Sequence, residues 1–467
     1  VAQFTAGIMR PIAYGSLIIP VVAVITAEYA LTVISVAISA TLSLVSFILL
    51  KRPRPENILR SEVLMATAFG FIILSLAFAP LFYAGGLSGV DAIFESVSGI
   101  TTTGLTVMIS PEGAPVSNLA ARSLLQWFGG YFILAAPLAL FVQSGEQREL
   151  GAVTTETTGQ FESALNWSQK ILLFYGGTTI LAAGIIFSLE RDLVTAATHA
   201  LSSVSTGGYS NYADSLAGMQ SRATPLVVSF FSVLGAIPFA IYLIQTKSQK
   251  RKSFLEAAVL IALIGFFSTA MAVILLAQER DWSDALFTSI TLSISTQTTT
   301  GYASETITAL PPAALALLVV SMIIGGATGS TAGGVKPERI LILFRVAKNC
   351  LDRTISHQHA ILKPRLGGEA IDDASIEKAI LISVSYAAAG TVTWIAMCAH
   401  GYDAFDSLFD TVSALSTVGL STGVAGPEAP ASLKFLLCAD MLLGRLEFVA
   451  LLVLLSPTAW GLKGGQS

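Results

Sequence analysis

The chain has 467 residues, of which 53% are hydrophobic and only 12% charged, with a formal net charge of −4. Soluble domains carry roughly 25% charged residues, so this composition excludes an ordinary soluble globular protein and fits one whose outer surface faces lipid. The weak charge leaves no electrostatic footprint for nucleic acid, the scattered Cys350, Cys398 and Cys438 exclude a disulfide framework, and His357 and His359 lack the further ligands of a zinc site.

A spanning helix needs about 20 apolar residues, and open strands cannot cross lipid because their backbone groups go unsatisfied. In chain order, apolar runs at 11–28, 30–50, 61–83, 118–142, 169–189, 223–245, 254–277, 312–350, 376–399 and 435–456 predict ten membrane helices. The first run leads straight into the second with no small-residue cleavage site between, so it reads as a membrane helix and not a removed signal. Positive charge sets sidedness. With loops taken on alternate sides, 20 of the 26 Lys and Arg residues share one side, among them Lys51, Arg52, Arg54, Arg148, Lys363 and Lys463. The other side holds Arg122, Arg191, Arg222, Arg280 and Lys434, and Arg445 alone lies within a span. Both termini are therefore expected in the cytoplasm.

The sparsely basic loops after the third, fifth, seventh and ninth runs share a pattern. Each holds a semi-polar segment that ends in hydroxyl residues and glycine: Asp91 to Gly104, Thr198 to Gly207, Ile290 to Gly301, and Phe409 to Gly419. The glycines are 103, 94 and 118 residues apart, a fourfold internal repeat. The physical reading is a pore loop. Asp91, Asp192, Asp284 and Asp406 are candidate caps for a short half-helix. The C-terminal end of that helix aims partial negative charge at the membrane centre and favours a cation. The chain then returns as Ser/Thr/Gly backbone, in which glycine lets carbonyls face an axis and replace a cation's hydration shell. The candidate filter residues are Thr102, Thr103 and Gly104; Ser205, Thr206 and Gly207; Thr299, Thr300 and Gly301; and Thr417, Val418 and Gly419. One such loop alone reads as an outer turn, whereas four on one side, each between two spans, read as the four sides of one filter.

The eighth run is interrupted by Gly325-Gly-Ala-Thr-Gly-Ser-Thr-Ala-Gly-Gly334, in which five of ten residues are glycine, too many for a continuous helix. A phosphate-binding loop is excluded, because Val335-Lys336 follows where Lys-Ser/Thr would stand. A plain helix kink is the simplest alternative. A charge such as Arg445 within a span is costly and marks function, or pairs with a carboxylate of another helix for assembly alone. Glu447, two positions on, points elsewhere on a helix.

The four loops, with Arg122-Ser-Leu-Leu-Gln-Trp-Phe-Gly-Gly130, the glycine stretch followed by Val-Lys-Pro, and Met441-Leu-Leu-Gly-Arg445-Leu-Glu447, resemble the Trk/Ktr/HKT superfamily of potassium transporters, most closely its bacterial Trk membrane subunits. The resemblance covers nearly the whole chain. It implies an all-α integral membrane protein: two leading helices (1–50), then four helix–pore-loop–helix repeats around one pore (51–150, 151–250, 251–365 and 366–467). It implies one filter glycine per repeat at Gly104, Gly207, Gly301 and Gly419, with the preceding carbonyls at Thr103, Thr206, Thr300 and Val418. Glycine rather than serine at position 104 points to K+ over Na+ as the ion. The resemblance also implies a gate in the third repeat, an intramembrane loop of Gly325, Gly326, Gly329, Ser330, Thr331, Gly333 and Gly334 beside a pore-facing Arg445. It implies a homodimer in the cytoplasmic (inner) membrane, with a separate cytoplasmic nucleotide-binding ring that regulates it. Basic segments 247–252 and 336–365 are candidate docking sites for that ring, or plain inner-side anchors. Two departures stand out: Tyr131-Phe132 follow Gly130 where the family has Met-Gly, and Asp284 precedes Gly301 by 17 residues whereas Asp91 and Asp406 precede their glycines by 13.

The alternative function is a sodium- or proton-coupled secondary cation transporter with alternating access, which also uses broken helices but would show two symmetric halves. An enzyme is not indicated: His-Glu-x-x-His and Gly-x-Ser-x-Gly are both absent.

Overall fold

The structure is a computed structural model that describes residues 2–51, 60–141, 159–243, 247–355, 364–366 and 369–457. Arg52, Arg54, Arg148, Lys363 and Lys463, which entered the charge bias, and the His357/His359 pair lie outside the described residues.

Two leading helical passes come first. The first is split into α1 (Ala2–Gly15) and α2 (Ile18–Ile25), and the second is α3 (Tyr29–Leu50). Ser35, Ser39 and Ser46 are buried on one side of α3, where small side chains let helices approach closely. There Ser16 Oγ meets Ser39 Oγ at 2.9 Å, and Ser46 Oγ donates to the Ala6 carbonyl at 3.2 Å.

Four repeats follow, each a long helix, a short helix, a return strand and a second long pass. The first is α4 (Arg60–Ala84), α5 (Gly89–Ile100) and α6 (Val116–Phe141). The second is α7 (Gly159–Glu190), α8 (Leu193–Val204), α9 (Thr224–Ala236) and α10 (Ala240–Leu243). The third is α11 (Lys247–Leu276), α12 (Trp282–Gln297), α13 (Pro312–Ile324) and α14 (Pro337–Ile355). The fourth is α15 (Asp373–Ala399), α16 (Ala404–Leu415), α17 (Ala431–Arg445) and α18 (Val449–Leu455). The strand pairing among the described residues is one hairpin, β1 (Arg365–Leu366) against β2 (Glu369–Ala370).

In every repeat the first long helix packs on its own short helix. Among the described residues five helices (α3, α4, α7, α11 and α15) are long and apolar enough to cross a membrane, with mean hydropathy 1.6–2.7, yet only 22–56% of the most apolar stretch of each is buried inside the protein. Val33, Leu173, Ile180, Phe266 and Val392 point outward. Each such side chain left in water would forgo about 1.5–3 kcal/mol of burial, so the apolar exterior is a lipid-facing surface.

The second passes break where the sequence predicts continuity. The runs 223–245 and 435–456 are not single helices. The first stops at Ala236 because Pro238 lacks an N–H and forces Ile237 into an extended conformation (φ −77, ψ 145). The second stops at Arg445, and Glu447 and Phe448 then adopt left-handed backbone (φ 51 and 61) before α18 begins. The expected break in the third repeat is present, since α13 ends at Gly325 (φ 69) and α14 starts at Pro337. Close approach sets the helix positions: a Cβ on Gly129 would lie 1.8 Å from the Ile100 carbonyl oxygen, and one on Gly444 would lie 1.9 Å from that of Leu415. The second passes thus pack against the ends of the short helices.

Candidate ion pathway

The four short helices begin with side-chain caps. Asp192 caps α8, and its carboxylate accepts from the Thr195 N–H at 2.7 Å. The other three proposed caps are displaced by one turn. Ser88, Asp281 and Asp403 are the capping residues of α5, α12 and α16. Asp91, Asp284 and Asp406 instead lie in the first turn, where a carboxylate complements the helix dipole. The long spacing in the third repeat also has a structural reason: α12 has 16 residues and α5 and α16 have 12, one extra turn.

All four helices end the same way. Thr102, Thr206, Thr299 and Thr417 follow the last turn with φ of 53, 53, 54 and 52. A β-branched residue there is a true outlier, and its fourfold recurrence makes it a built-in feature. The next amide reaches back five residues: Thr103 to Ser98 O (3.0 Å), Gly207 to Ser202 O (2.8 Å), Thr300 to Ser295 O (2.8 Å), Val418 to Ser413 O (2.9 Å). One more residue on stand Gly104, Gly208, Gly301 and Gly419, with φ of 88, 81, 78 and 98.

This pattern corrects the register of the second repeat. The equivalent of Gly104, Gly301 and Gly419 is Gly208, not Gly207, and Gly207 takes the place of Thr103, Thr300 and Val418. The preceding-carbonyl position given to Thr206 therefore belongs to Gly207, and Thr206 matches Thr102. A sequence signal existed, since Gly208-Tyr209 mirrors Gly301-Tyr302.

The four segments close on one another. A Cβ on Gly104 would lie 2.3 Å from Gly207 O, on Gly208 1.8 Å from Thr300 O, on Gly301 1.7 Å from Val418 O, and on Gly419 2.2 Å from Thr103 O. Each glycine therefore abuts the preceding carbonyl of the next repeat, in the order one, two, three, four, one. All four glycines line a cavity of 280 Å³ that also touches Thr106, Ser210 and Ser421. Tyr209 and Tyr302 tie neighbours together: Tyr209 OH donates to Glu95 O at 2.9 Å, and Tyr302 OH to Tyr209 O at 3.2 Å. At the mouth, the Ala213 N–H meets Glu112 at 2.6 Å and holds that carboxyl below its usual range.

Arg122, of the Arg122–Gly130 motif, is buried behind the first return strand. Its Nε donates to Glu95 at 2.7 Å, Nη1 to Ser210 O at 3.1 Å and Nη2 to Thr106 Oγ1 at 3.1 Å, and its guanidinium lies 4.0 Å over Tyr209. Removing one member of a buried pair leaves the other charge uncompensated, so Arg122→Ala is expected to cost about 3–5 kcal/mol. Denaturant unfolding in detergent checks this, and a cost below about 1 kcal/mol would contradict it.

The glycine-rich loop lies on the Thr206, Thr299 and Thr417 side of this ring and touches every repeat. Thr331 Oγ1 is 3.0 Å from Thr206 Oγ1 and donates to Gly235 O at 3.0 Å. Gly333 N donates to Thr299 Oγ1 at 2.7 Å. A Cβ on Gly333 would lie 2.2 Å from Thr417 Oγ1, and one on Gly130 would lie 3.3 Å from Thr331 Cγ2. Gly325 and Gly326 close the loop's neck: Gln297 donates to Gly325 O at 2.5 Å, and Gly326 N to Gly333 O at 3.3 Å. Gly329 O accepts from Phe239 N at 3.0 Å, and a Cβ on Gly334 (φ 81) would lie 2.7 Å from Gly325 Cα. The buried Lys336 points its Nζ at Ala327 O and Ala332 O, and Glu256 of α11 accepts from Thr328 N at 3.0 Å. Lys336 belongs to the Val-Lys-Pro that follows the glycine stretch, whereas Glu256 sits in no motif and has no sequence signal.

Arg445 reaches the same loop from the end of α17. Its Nη1 donates to the Thr331 carbonyl at 2.5 Å and its Nη2 to Gly129 O at 3.3 Å. The side chains of Ser330 and Thr331 do not bind the guanidinium, and Ser330 Oγ instead donates to Ala327 O at 2.6 Å. Among the described ion pairs none includes Arg445. Glu447 pairs with Arg339 and lies 4.0 Å from Lys378.

Four short helices converging on one closed carbonyl ring, inside a bundle with an apolar exterior, define an all-α integral membrane protein of the pore-loop class. The chain matches TrkH, described as a cation transport protein, over residues 74–460, and it belongs to that family. It is 27% identical over 417 residues to the Trk system potassium uptake protein TrkH of Escherichia coli K12, covering 86% of each chain. To the Trk system potassium uptake protein TrkI of Halomonas elongata it is 28% identical over 443 residues, covering 91% of this chain and 89% of that one. Its fold is similar to the crystal structure of the potassium transporter TrkH from Vibrio parahaemolyticus, with a TM-score of 0.83 at 24% identity over 98% of this chain and 99% of the other.

Proposed function

We propose that this chain carries potassium into the cell across the inner membrane, through a filter made by its four return strands. The supporting observation is the closed ring in which Gly104, Gly208, Gly301 and Gly419 each abut the preceding carbonyl of the next repeat. Carbonyls at such positions replace a cation's hydration shell. Non-helical backbone at membrane depth is tolerated only around such a path or inside protein. The named potassium uptake relatives support K+ as the ion. The filter set becomes Thr102, Thr103 and Gly104; Thr206, Gly207 and Gly208; Thr299, Thr300 and Gly301; and Thr417, Val418 and Gly419, with Ser205 at the end of its helix.

The loop Gly325–Gly334 and Arg445 form the gate in this reading, because they sit against Thr206, Thr299 and Thr417 at the inner end. The helix α14 continues directly from the loop, so a nucleotide-binding ring on the cytoplasmic side, with the chain as a homodimer, has a lever on it. The division into leading helices 1–50 and repeats at 51–150, 151–250, 251–365 and 366–467 belongs to the same reading.

Potassium and sodium uptake in potassium-starved cells tests the function. Gly104→Ser places a side chain against Gly207 O and is expected to reduce the preference for potassium. Unchanged discrimination in a correctly inserted variant would remove Gly104 from the filter. Orientation has its own test. A cysteine at Ser110, exposed on the outer loop, is expected to react with an impermeant thiol reagent in intact cells, and one at Gln249 is not. The reverse pattern would invert the topology.

A further inference from the structure

In register across the repeats, a pair of side chains ties each return strand to its own short helix. Nine residues before Gly104, Gly208, Gly301 and Gly419 stand Glu95, His199, Leu292 and Asp410. Two residues after those glycines stand Thr106, Ser210, Ala303 and Ser421. In three repeats the two positions are joined by a hydrogen bond. Thr106 Oγ1 donates to the Glu95 carboxylate at 3.0 and 3.1 Å, and Ser421 Oγ donates to Asp410 at 2.6 Å. His199 Nδ1 lies 2.8 Å from Thr195 O and so carries the proton, which leaves Nε2 to accept from Ser210 Oγ at 3.0 Å. That contact is shorter than the 3.3 Å approach of the same hydroxyl to Ser215 O. In the third repeat both polar members are missing together at Leu292 and Ala303, and the tie is shifted by one residue, with Thr291 Oγ1 2.7 Å from Ser304 Oγ.

The surroundings of the three polar pairs differ in charge. Arg122 neutralises Glu95, and His199 is neutral in this arrangement. Asp410 is buried with no basic partner among the described ion pairs, and only hydrogen bonds hold it: from Thr422 N at 2.8 Å, Ala425 N at 2.7 Å, Thr422 Oγ1 at 3.1 Å and Ser421. Whatever the charge, the geometric result is the same. The residue two places beyond the ring is fixed to a helix, and the carbonyls between are held at both ends.

We propose that these pairs are struts that set how far the ring carbonyls can close around an ion, which makes Glu95 with Thr106, His199 with Ser210, and Asp410 with Ser421 positioning residues for ion discrimination. The proposal rests on the filter reading above. A ring free to contract serves a smaller cation better than a ring held open, so loss of a strut admits sodium.

The second repeat offers the cleanest test, because the third repeat shows what an apolar pair looks like. The full chain is reconstituted in liposomes, and potassium and sodium influx are measured for Ser210→Ala, Ser210→Thr, the double variant His199→Leu with Ser210→Ala, and Gly104→Ser. Ser210→Ala is expected to lower the potassium-to-sodium ratio about threefold to tenfold, the worth of one hydrogen bond. Ser210→Thr, which copies Thr106 of the first repeat, is expected to keep it. The double variant removes both members of the His199–Ser210 pair instead of stranding the Ser210 hydroxyl, so its thermal stability should exceed that of His199→Leu alone while its ratio stays low. A purely structural role would restore both together, and that result overturns the proposal. So does a wild-type ratio in Ser210→Ala when Gly104→Ser has lost discrimination. If Gly104→Ser also keeps the wild-type ratio, the filter reading fails and the struts fall with it.

Discussion

Replacement of Arg445 by alanine is expected to raise cation flux through the isolated protein by at least about tenfold without changing its ion preference. The guanidinium is buried, has no carboxylate partner among the described ion pairs, and holds the loop through Thr331 O. Two effects act in the same direction. A positive charge roughly 4–8 Å from a cation, at an effective dielectric of about 20, repels it by about 2–4 kcal/mol before screening. The hydrogen bond donated to Thr331 O also anchors the loop to α17, while the second ties the same guanidinium to Gly129 O of α6, and each charged donor is worth about 1.5–3 kcal/mol. Arg445→Lys separates the effects, since it keeps the charge and loses the two-pronged geometry. Flux into liposomes without any partner protein is the measurement. The filter residues are untouched, so the ratio of potassium to sodium should remain at its wild-type value. A variant that folds, inserts and conducts no faster would place the gate elsewhere and leave Arg445 a structural role.

Gly208→Ala is expected to abolish selective uptake, with a larger effect than Gly207→Ala. The new methyl of Gly208→Ala would lie 1.8 Å from the backbone oxygen of Thr300, in a residue whose φ is 81. Backbone cannot swing aside, and left-handed alanine adds about 1–2 kcal/mol of local strain. Gly207→Ala meets Gln126, with its Cδ at 2.3 Å. Rotation can move the amide, at the cost of its 2.6 Å donation to Gly207 O, but not Gln126 Cβ at 2.8 Å, so Gly207→Ala is also strained, without the positive φ of Gly208. Uptake assays on the two variants at matched membrane levels decide the register. Equal uptake by Gly208→Ala and wild type would return the filter position to Gly207.

That register shows where sequence reading stops. The Ser205-Thr-Gly-Gly208 segment offers two adjacent glycines; the Gly-Tyr pair it shares with Gly301-Tyr302 favours Gly208, but only in one other repeat, and spacing does not choose because repeat lengths vary. The choice follows from the left-handed threonine and the five-residue return bond, which are conformational facts. Asp91, Asp284 and Asp406 lie one turn past the caps for a related reason: an acidic residue near a helix start serves as cap, as Asp192 does, or as first-turn charge, and only φ/ψ separates the two. Pro238 ends α9, whereas Pro80 lies inside the continuous α4, so a proline in an apolar run does not by itself decide whether the helix breaks. The break at Glu447 and Phe448 carries no such residue and depends on packing against the end of α16.

By itself the sequence determined the membrane class, the leading pair of helices and the four repeats with their pore loops. Hydropathy, loop charge and Thr/Gly clusters are properties of contiguous residues, and lipid enforces them strictly because an unsatisfied backbone group has no water to turn to. Only the tertiary structure decided that Gly104 meets Gly207, that Gly419 closes on Thr103, that Thr331 offers its carbonyl and not its hydroxyl to Arg445, and that Glu95, His199 and Asp410 share one position. Those are contacts between segments about 90 to 300 residues apart, set by helices packing around a common axis. No local pattern encodes the distance between two backbones that meet only after the chain has closed its ring.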